Sequence, residues 1–316
     1  MSCCGLIGTF CTFVVLIQTV LGVFRWIYEN ILGPRFGKSI NFSSYGRWAL
    51  VTGATDGIGK EYAKSLAQRG MNIILVSRTL SKLEAVAKEI QEAYNVDTAV
   101  IDVDFTSGPE IYEKVKDRIK GKEIGVLVNN VGVSYSCPDF FLAIPDREKL
   151  IQDIIRCNIT SMAMMCSIIL PQMVQRQKGI IINIASMSAV VPASNLTIYS
   201  ASKAFADKFS KDLAAEYEKV GVIIQSVCPG FVATNMTKMK KGSFMAPLPK
   251  QFVEAALKTV GFAGHTAGYI PHCLMQVSAQ FLQFIAPGLS RSITLKTMAN
   301  VRNRQIKRGL YTSATN

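Results

Sequence analysis

Tyr199 and Lys203, in the run Tyr-Ser-Ala-Ser-Lys, stand four residues apart, and Ser186 lies 13 residues upstream of the tyrosine. Four residues is one helical turn, so a phenol and an ammonium leave the same face of a helix, roughly 6 Å apart along its axis. A free tyrosine ionises near a pKa of about 10, which makes it a weak proton donor at neutral pH. A cation within about 4–6 Å favours the phenolate and lowers that value, and Lys203 is the cation in reach. Alone, the pair is weak, because solvated helix faces carry Tyr-x-x-x-Lys by chance.

A second feature changes its weight. Residues 52–59 read Thr-Gly-Ala-Thr-Asp-Gly-Ile-Gly, after a strand-like run at 47–51 and before a helix-like run at 60–68. A strand, a glycine turn and a helix in that order bring free backbone N–H groups to a dinucleotide pyrophosphate at the positive end of the helix. Gly53 allows the tight turn, Gly57 and Gly59 allow close approach, and Thr55, Asp56 and Ile58 complete the candidate cofactor-binding turn. The spacing Gly-x-x-x-Gly-x-Gly departs from the general Gly-x-Gly-x-x-Gly fingerprint. With Tyr-x-x-x-Lys downstream, it resembles the short-chain dehydrogenase/reductase family, and the two motifs together predict a carbonyl-reducing, nicotinamide-dependent site.

That resemblance implies further roles. Asn130, in Asn129-Asn130-Val131-Gly132, matches the family segment beside the adenosine half of the cofactor, and Asp104 matches the aspartate near the adenine. Asn158, 41 residues before Tyr199, matches the asparagine that holds a water in the proton relay, and Ser186 matches the serine that polarises the substrate carbonyl. Ser188 is a competing hydroxyl, separated from Ser186 only by the family spacing. Pro229 and Thr234 match the loop beside the nicotinamide, and Lys203 also holds ribose beside Tyr199. The cofactor choice rests on the end of the second strand-like run at 72–77. An acid there accepts from the ribose 2′-OH of NAD, whereas an arginine suits a 2′-phosphate. Ser77-Arg78 stands there with no acid before Glu84, which predicts NADP(H) with Arg78 on the phosphate.

Strand-like runs near 48, 72, 98, 124, 180 and 222 alternate with helical patterns, as a doubly wound parallel α/β sheet of Rossmann type requires. The expected organisation is an anchor and linker at 1–45, one catalytic domain at 46–275, and a basic, membrane-associated tail at 276–316. A stretch at 239–249 breaks the alternation and resembles the family's substrate loop. Residues 3–24 carry no charge and, as a helix, reach about 33 Å, enough to cross a bilayer's hydrocarbon core. No Lys or Arg precedes them while Arg25, Arg35, Lys38 and Arg47 follow, so the positive-inside rule puts the catalytic domain in the cytosol.

The formal net charge of +13 raises nucleic acid, a membrane surface or anionic substrates as partners. No segment resembles a nucleic-acid module. Residues 269–290 lack any Lys, Arg, Asp or Glu, and the basic residues beyond them have no acid beside them in sequence, which suits a segment lying on anionic lipid. The eight cysteines form no Cys-x-x-Cys and the two histidines, His265 and His272, lack the companions of a metal site. No metal is expected, and both histidines are read as structural.

A narrower resemblance rests on Tyr45-Gly46-Arg47-Trp48-Ala49-Leu50-Val51, Ser77-Arg78-Thr79, Asn129 through Tyr135, and Phe231-Val232-Ala233-Thr234. These are similar to the 17β-hydroxysteroid dehydrogenase type 12 and type 3 branch, which includes the very-long-chain 3-oxoacyl-CoA reductases. The resemblance implies an endoplasmic-reticulum membrane enzyme with an acyl-CoA substrate and elongation enzymes as neighbours. Its alternatives are a ketosteroid reductase and a non-catalytic NADP-binding scaffold. A homo-oligomer stays open.

Overall fold

The computed structural model describes residues 3–309 and residue 311. The chain opens with α1 (Cys3–Ile27), which runs through a π turn at Tyr28–Leu32 into α2 (Gly33–Phe36). Strands and helices then alternate: β1 (Trp48–Thr52), α3 (Gly57–Ala67), β2 (Asn72–Ser77), α4 (Leu80–Tyr94), β3 (Thr98–Asp102), α5 (Ile111–Ile119) and β4 (Ile124–Asn129). The second half continues with α6 (Arg147–Ile154), α7 (Ser161–Gln175), β5 (Gly179–Ile184), α8 (Thr197–Tyr217), β6 (Val222–Val227), α9 (Pro249–Lys258), β7 (His265–Thr266), α10 (Ile270–Ile285) and α11 (Pro287–Lys307).

Every strand pairing is parallel, and the order is β3-β2-β1-β4-β5-β6-β7. This is the doubly wound sheet expected, with one strand more. β7 spans two residues, too short to leave a periodic signal in sequence. β4 and β5 are buried along their whole length, as continuous apolar strands covered on both faces must be. Leu66, Leu83 and Phe252 pack on one face of the sheet and Tyr112, Met165 and Ile169 on the other. A polar chain runs through the interior: Asn129 Nδ2 donates to Asn183 Oδ1 at 2.9 Å, and Asn183 Nδ2 to Ser210 Oγ at 2.9 Å. Strand order reverses between β1 and β4, so a crevice opens above their carboxyl ends.

Two segments flank that sheet. A 30-residue stretch, Ile7–Phe36, has a mean hydropathy of 2.1 over its most apolar window, none of it buried, and is a candidate membrane span. Arg147–Gln175 is also long and apolar, but half of its window is buried in the core. The end of this stretch is docked on the part of the chain that carries the sheet. Asn30 Oδ1 accepts from Thr266 Oγ1 at 3.0 Å, Tyr28 stands edge-on to Phe262, and a Cβ at Gly33 would lie 2.6 Å from the Phe262 ring. At the other end of the chain, α10 and α11 pack together. Arg302 does find an acid, though a distant one in sequence: its Nε lies 2.7 Å from Asp139 Oδ1. Five of the described cysteines are buried and Cys11 is exposed on α1.

Candidate active site

The crevice over β1, β2, β4, β5 and β6 holds a cavity of about 380 Å³. Gly53, Thr55, Asp56, Gly57, Ile58, Arg78, Asp104, Asn130, Ser186, Tyr199, Lys203, Pro229 and Thr234 all line it. Gly59 and Asn158 stand behind its wall. α3 begins at Gly57, three residues before the helix-like run read from sequence, so Gly57 and Gly59 belong to its first turn. Gly53 and Gly57 have φ of +65° and +54°, a region where a side chain strains the backbone. A Cβ at Gly57 would sit 3.2 Å from Thr234 Cγ2 across the crevice, whereas one at Gly59 would press into Gly53 and Asn130. Asn130 fastens the turn, its Nδ2 donating to Thr52 O at 3.0 Å and Gly53 O at 3.2 Å. Free N–H groups of the α3 first turn therefore face an open cradle, which fits the pyrophosphate of a dinucleotide.

At the far end of this cradle, Thr55 Oγ1 and Ser77 Oγ share a hydrogen bond of 3.2 Å beside Arg78. Burial would raise the pKa of Asp104, but two bonds from Thr106 and the charge of Arg78 hold it below the usual carboxylate range.

Tyr199 and Lys203 lie on the first turns of α8, with the Lys203 Nζ 5.8 Å from the Tyr199 ring centroid. The lysine is 5% exposed and its Nζ donates to Ile184 O at 2.8 Å. Burial pulls the pKa of Lys203 down to about 8. The expected lowering of the Tyr199 phenol is not what the structure gives. Burial pushes it up, and the hydrogen bond with Ser186 only partly offsets that. The desolvation of a phenol packed into the crevice outweighs a cation set off by almost 6 Å and itself desolvated.

Ser186 Oγ accepts from Ser188 N at 3.2 Å and from Ser188 Oγ at 3.0 Å. The two hydroxyls are thus ordered, with Ser186 inside against Tyr199 and Ser188 behind it. Asn158 lies in a π turn, Ile155–Thr160, inserted between α6 and α7. Such turns shift backbone groups out of the α-helical ladder and gather at functional sites. Its Oδ1 accepts from Val133 N at 2.8 Å, while Nδ2 donates to Val133 O at 3.0 Å and Ser202 Oγ at 2.9 Å. Those bonds occupy both amide hydrogens, so the side chain braces β4's exit loop against α8.

Several contributors left no signal in sequence. Tyr135 Oη accepts from the backbone N–H of Ile198, next to Tyr199, at 3.1 Å. Asn235 Nδ2 donates to Asp56 Oδ2 at 2.8 Å, bridging the glycine turn to the loop after β6. His272 is fully buried and holds that loop. His265, which has no companions of a metal site nearby in sequence, meets them in space: its Nδ1 lies 2.7 Å from Asp207 Oδ1, an acid that also accepts from Lys211 and Ser226, each at 2.7 Å. Burial works against that carboxylate, but these partners hold its pKa well below the usual range. With Cys228, these two side chains place three ligand-type atoms within 4.8 Å of one another, tied together by these bonds.

A parallel sheet in this order, a glycine cradle at its switch point and a Ser–Tyr–Lys set lining the same crevice, its lysine buried, define an oxidoreductase acting between CH–OH and C=O groups. Residues 47–243 match the short chain dehydrogenase family, and the chain belongs to it. Among its relatives is a very-long-chain 3-oxoacyl-CoA reductase of Anas platyrhynchos, 45% identical over 279 residues that cover 88% of each chain. The very-long-chain 3-oxoacyl-CoA reductase of Homo sapiens is 50% identical over 230 residues, 73% of each chain. Among solved structures, a short-chain dehydrogenase from Sphingobium yanoikuyae in complex with NADPH superposes with a TM-score of 0.60 at 28% identity, over 66% of this chain and 82% of that one.

Proposed function

We propose that the chain reduces very-long-chain 3-oxoacyl-CoA thioesters to 3-hydroxyacyl-CoA with NADPH. The observation that carries this reading is a complete Ser186–Tyr199–Lys203 set in the cofactor crevice of a chain 45% identical, over 88% of its length, to a very-long-chain 3-oxoacyl-CoA reductase. Bound NADPH supplies a hydride to the carbonyl carbon; the chain's own groups deal with the oxygen. Ser186 Oγ already accepts from Ser188, so its own proton is free to point at the substrate oxygen. The raised pKa keeps Tyr199 protonated at neutral pH, ready to give its proton to that oxygen as charge builds on it. Lys203, fixed by Ile184 O, attracts the phenolate left behind and holds ribose. Asn158, bonded to Val133 and Ser202, supports the relay by holding the β4 exit loop against the helix that carries Tyr199 and Lys203.

Arg78, with no acid after it in sequence before Glu84, supports NADP(H) over NAD(H). An acyl-CoA joins an anionic nucleotide head to a long apolar tail. Lys240 and Lys241 are exposed in the loop after β6, near exposed Phe244, Met245 and Leu248, which suits that division. Lys238 is partly engaged, its Nζ 3.2 Å from Ser136 O.

The same reading makes α1 a membrane anchor in the endoplasmic reticulum with the domain on the cytosolic side, within reach of other elongation enzymes. On α10, Leu274, Val277, Phe281 and Phe284 are exposed at alternating three- and four-residue spacing, and no Asp or Glu occurs from 269 onward. That face supports contact with anionic lipid.

The test is NADPH consumption by the full chain in lipid nanodiscs, across 3-oxoacyl-CoA chain lengths and a set of 17-ketosteroids. Turnover rising with acyl length is expected. Turnover of the ketosteroids alone would replace the thioester with a steroid, and turnover of neither would leave the scaffold reading.

A further inference from the structure

The crevice in which Tyr199 lies has two outer walls, and both are tied to the C-terminal helices. One wall is the loop after β6. His272 of α10 holds it at both ends: Nδ1 accepts from the N–H of Gly230 at 3.2 Å, and Nε2 donates to Met245 O at 3.1 Å. The other wall is the exit loop of β4, which lines the cavity at Val133 and continues outward over residues 134–141, reaching α8 through the contact of Tyr135 with Ile198. Asp139 in this wall is 1% exposed, and its backbone N–H donates to Asn195 O at 3.0 Å. Its carboxylate meets Arg302 Nε at 2.7 Å on Oδ1, and the hydroxyl of Tyr311 donates to Oδ2 at 2.8 Å. The Arg302 guanidinium also lies 5.9 Å over the Phe140 ring.

Phe140 N–H and the Tyr311 hydroxyl give this carboxylate neutral hydrogen bonds, while Arg302 sets a cation against its buried charge, so losing Arg302 leaves that charge less compensated and loosens the wall that carries it. We infer that α10 and α11 strap the substrate cleft across its two walls, with Arg302 and Tyr311 as positioning residues that set the width available to a long acyl chain. The hydride and proton steps lie deeper, at Ser186 and Tyr199, and do not touch the strap. Short substrates therefore escape its influence. This inference rests on the reading of the site as a long-chain 3-oxoacyl-CoA reductase.

The test compares Arg302→Gln, Arg302→Lys and Tyr311→Phe with wild type, all as full chains in nanodiscs. The readouts are KM and kcat for a long 3-oxoacyl-CoA and for acetoacetyl-CoA, NADPH affinity, and hydrogen exchange over 133–141. Arg302→Gln should raise the long-chain KM about tenfold, the scale of one lost charged hydrogen bond, and Tyr311→Phe should raise it about threefold. Arg302→Lys should recover most of the loss. The kcat, the acetoacetyl-CoA KM and the NADPH affinity should stay within about twofold, while exchange over 133–141 speeds up. An equal rise for both substrates, a fall in NADPH affinity, or unchanged KM and exchange would each overturn the strap. If wild type reduces neither thioester, the functional reading fails instead, and the exchange arm still decides whether Arg302 holds the wall.

Discussion

Tyr199 shows what a motif conveys and what it leaves out. Its spacing from Lys203 identified the pair, and residue types alone suggested a depressed phenol. The direction reversed because desolvation is a property of the assembled crevice, which no local run encodes. Tyr199→Phe keeps the ring and deletes the proton, so reduction should fall at least about a hundredfold while NADPH affinity measured by fluorescence stays near wild type. Undiminished turnover would remove Tyr199 as the acid. Lys203 carries a pH signature. Its folded-state pKa of about 8 lies below the ordinary 10.5, so between those values the unfolded chain binds more protons and stability rises with pH. The burial cost is full below about 8 and gone above 10.5. In cofactor-free protein, Lys203→Met should therefore be stabilising at pH 7, by on the order of 3 kcal/mol less about 1 for the lost bond to Ile184 O. Urea titrations at pH 7 and 10 should find that gain shrinking at the higher pH; a constant difference would contradict it. Arg78→Asp places a carboxylate where a 2′-phosphate is expected, and the ratio of kcat/KM for NADPH to that for NADH should drop by orders of magnitude.

At the scale of elements, the six longer strands and the glycine turn were legible because parallel strands are continuous apolar runs and the turn admits few residues. β7 was not, since two residues carry no period. The π turn at Asn158 was equally hidden, since the run Ile-Arg-Cys-Asn-Ile-Thr carries no local mark of an extra residue per turn and its Asn158 side chain bonds the remote Val133 and Ser202. Gly57 joins element to site: a methyl there would have to bear φ of +54° and approach Thr234 Cγ2 to 3.2 Å. Gly57→Ala should cost about tenfold or more in cofactor affinity, from about 1–2 kcal/mol of backbone strain, with the unfolding transition still cooperative. Isothermal titration with NADPH measures it, and an unchanged Kd would mean the turn does not cradle the pyrophosphate.

For the whole molecule, sequence missed how the N-terminal apolar helix, the sheet and the C-terminal helices are joined. Asn30 and Thr266 meet across 236 residues of chain and Tyr311 and Asp139 across 172, and the contacts of Phe262 with the Gly33 turn and of Arg302 with Asp139 are likewise remote; such partners have no local trace. A single span followed by Arg25, Arg35, Lys38 and Arg47 predicts that protease added to sealed microsomes digests the catalytic domain, whereas full protection would put it in the lumen. On the proposed membrane-anchored reading, the docking of the π turn that follows α1 has a further result. A domain on a slack tether samples every attitude, and its mouth meets ligands from all sides of the aqueous volume. A domain clamped to its span keeps one attitude, so a lipid-dissolved ligand and a neighbouring membrane enzyme always encounter the same face. The search for a long-chain substrate then becomes two-dimensional, governed by its number per unit area of bilayer rather than by its concentration in water.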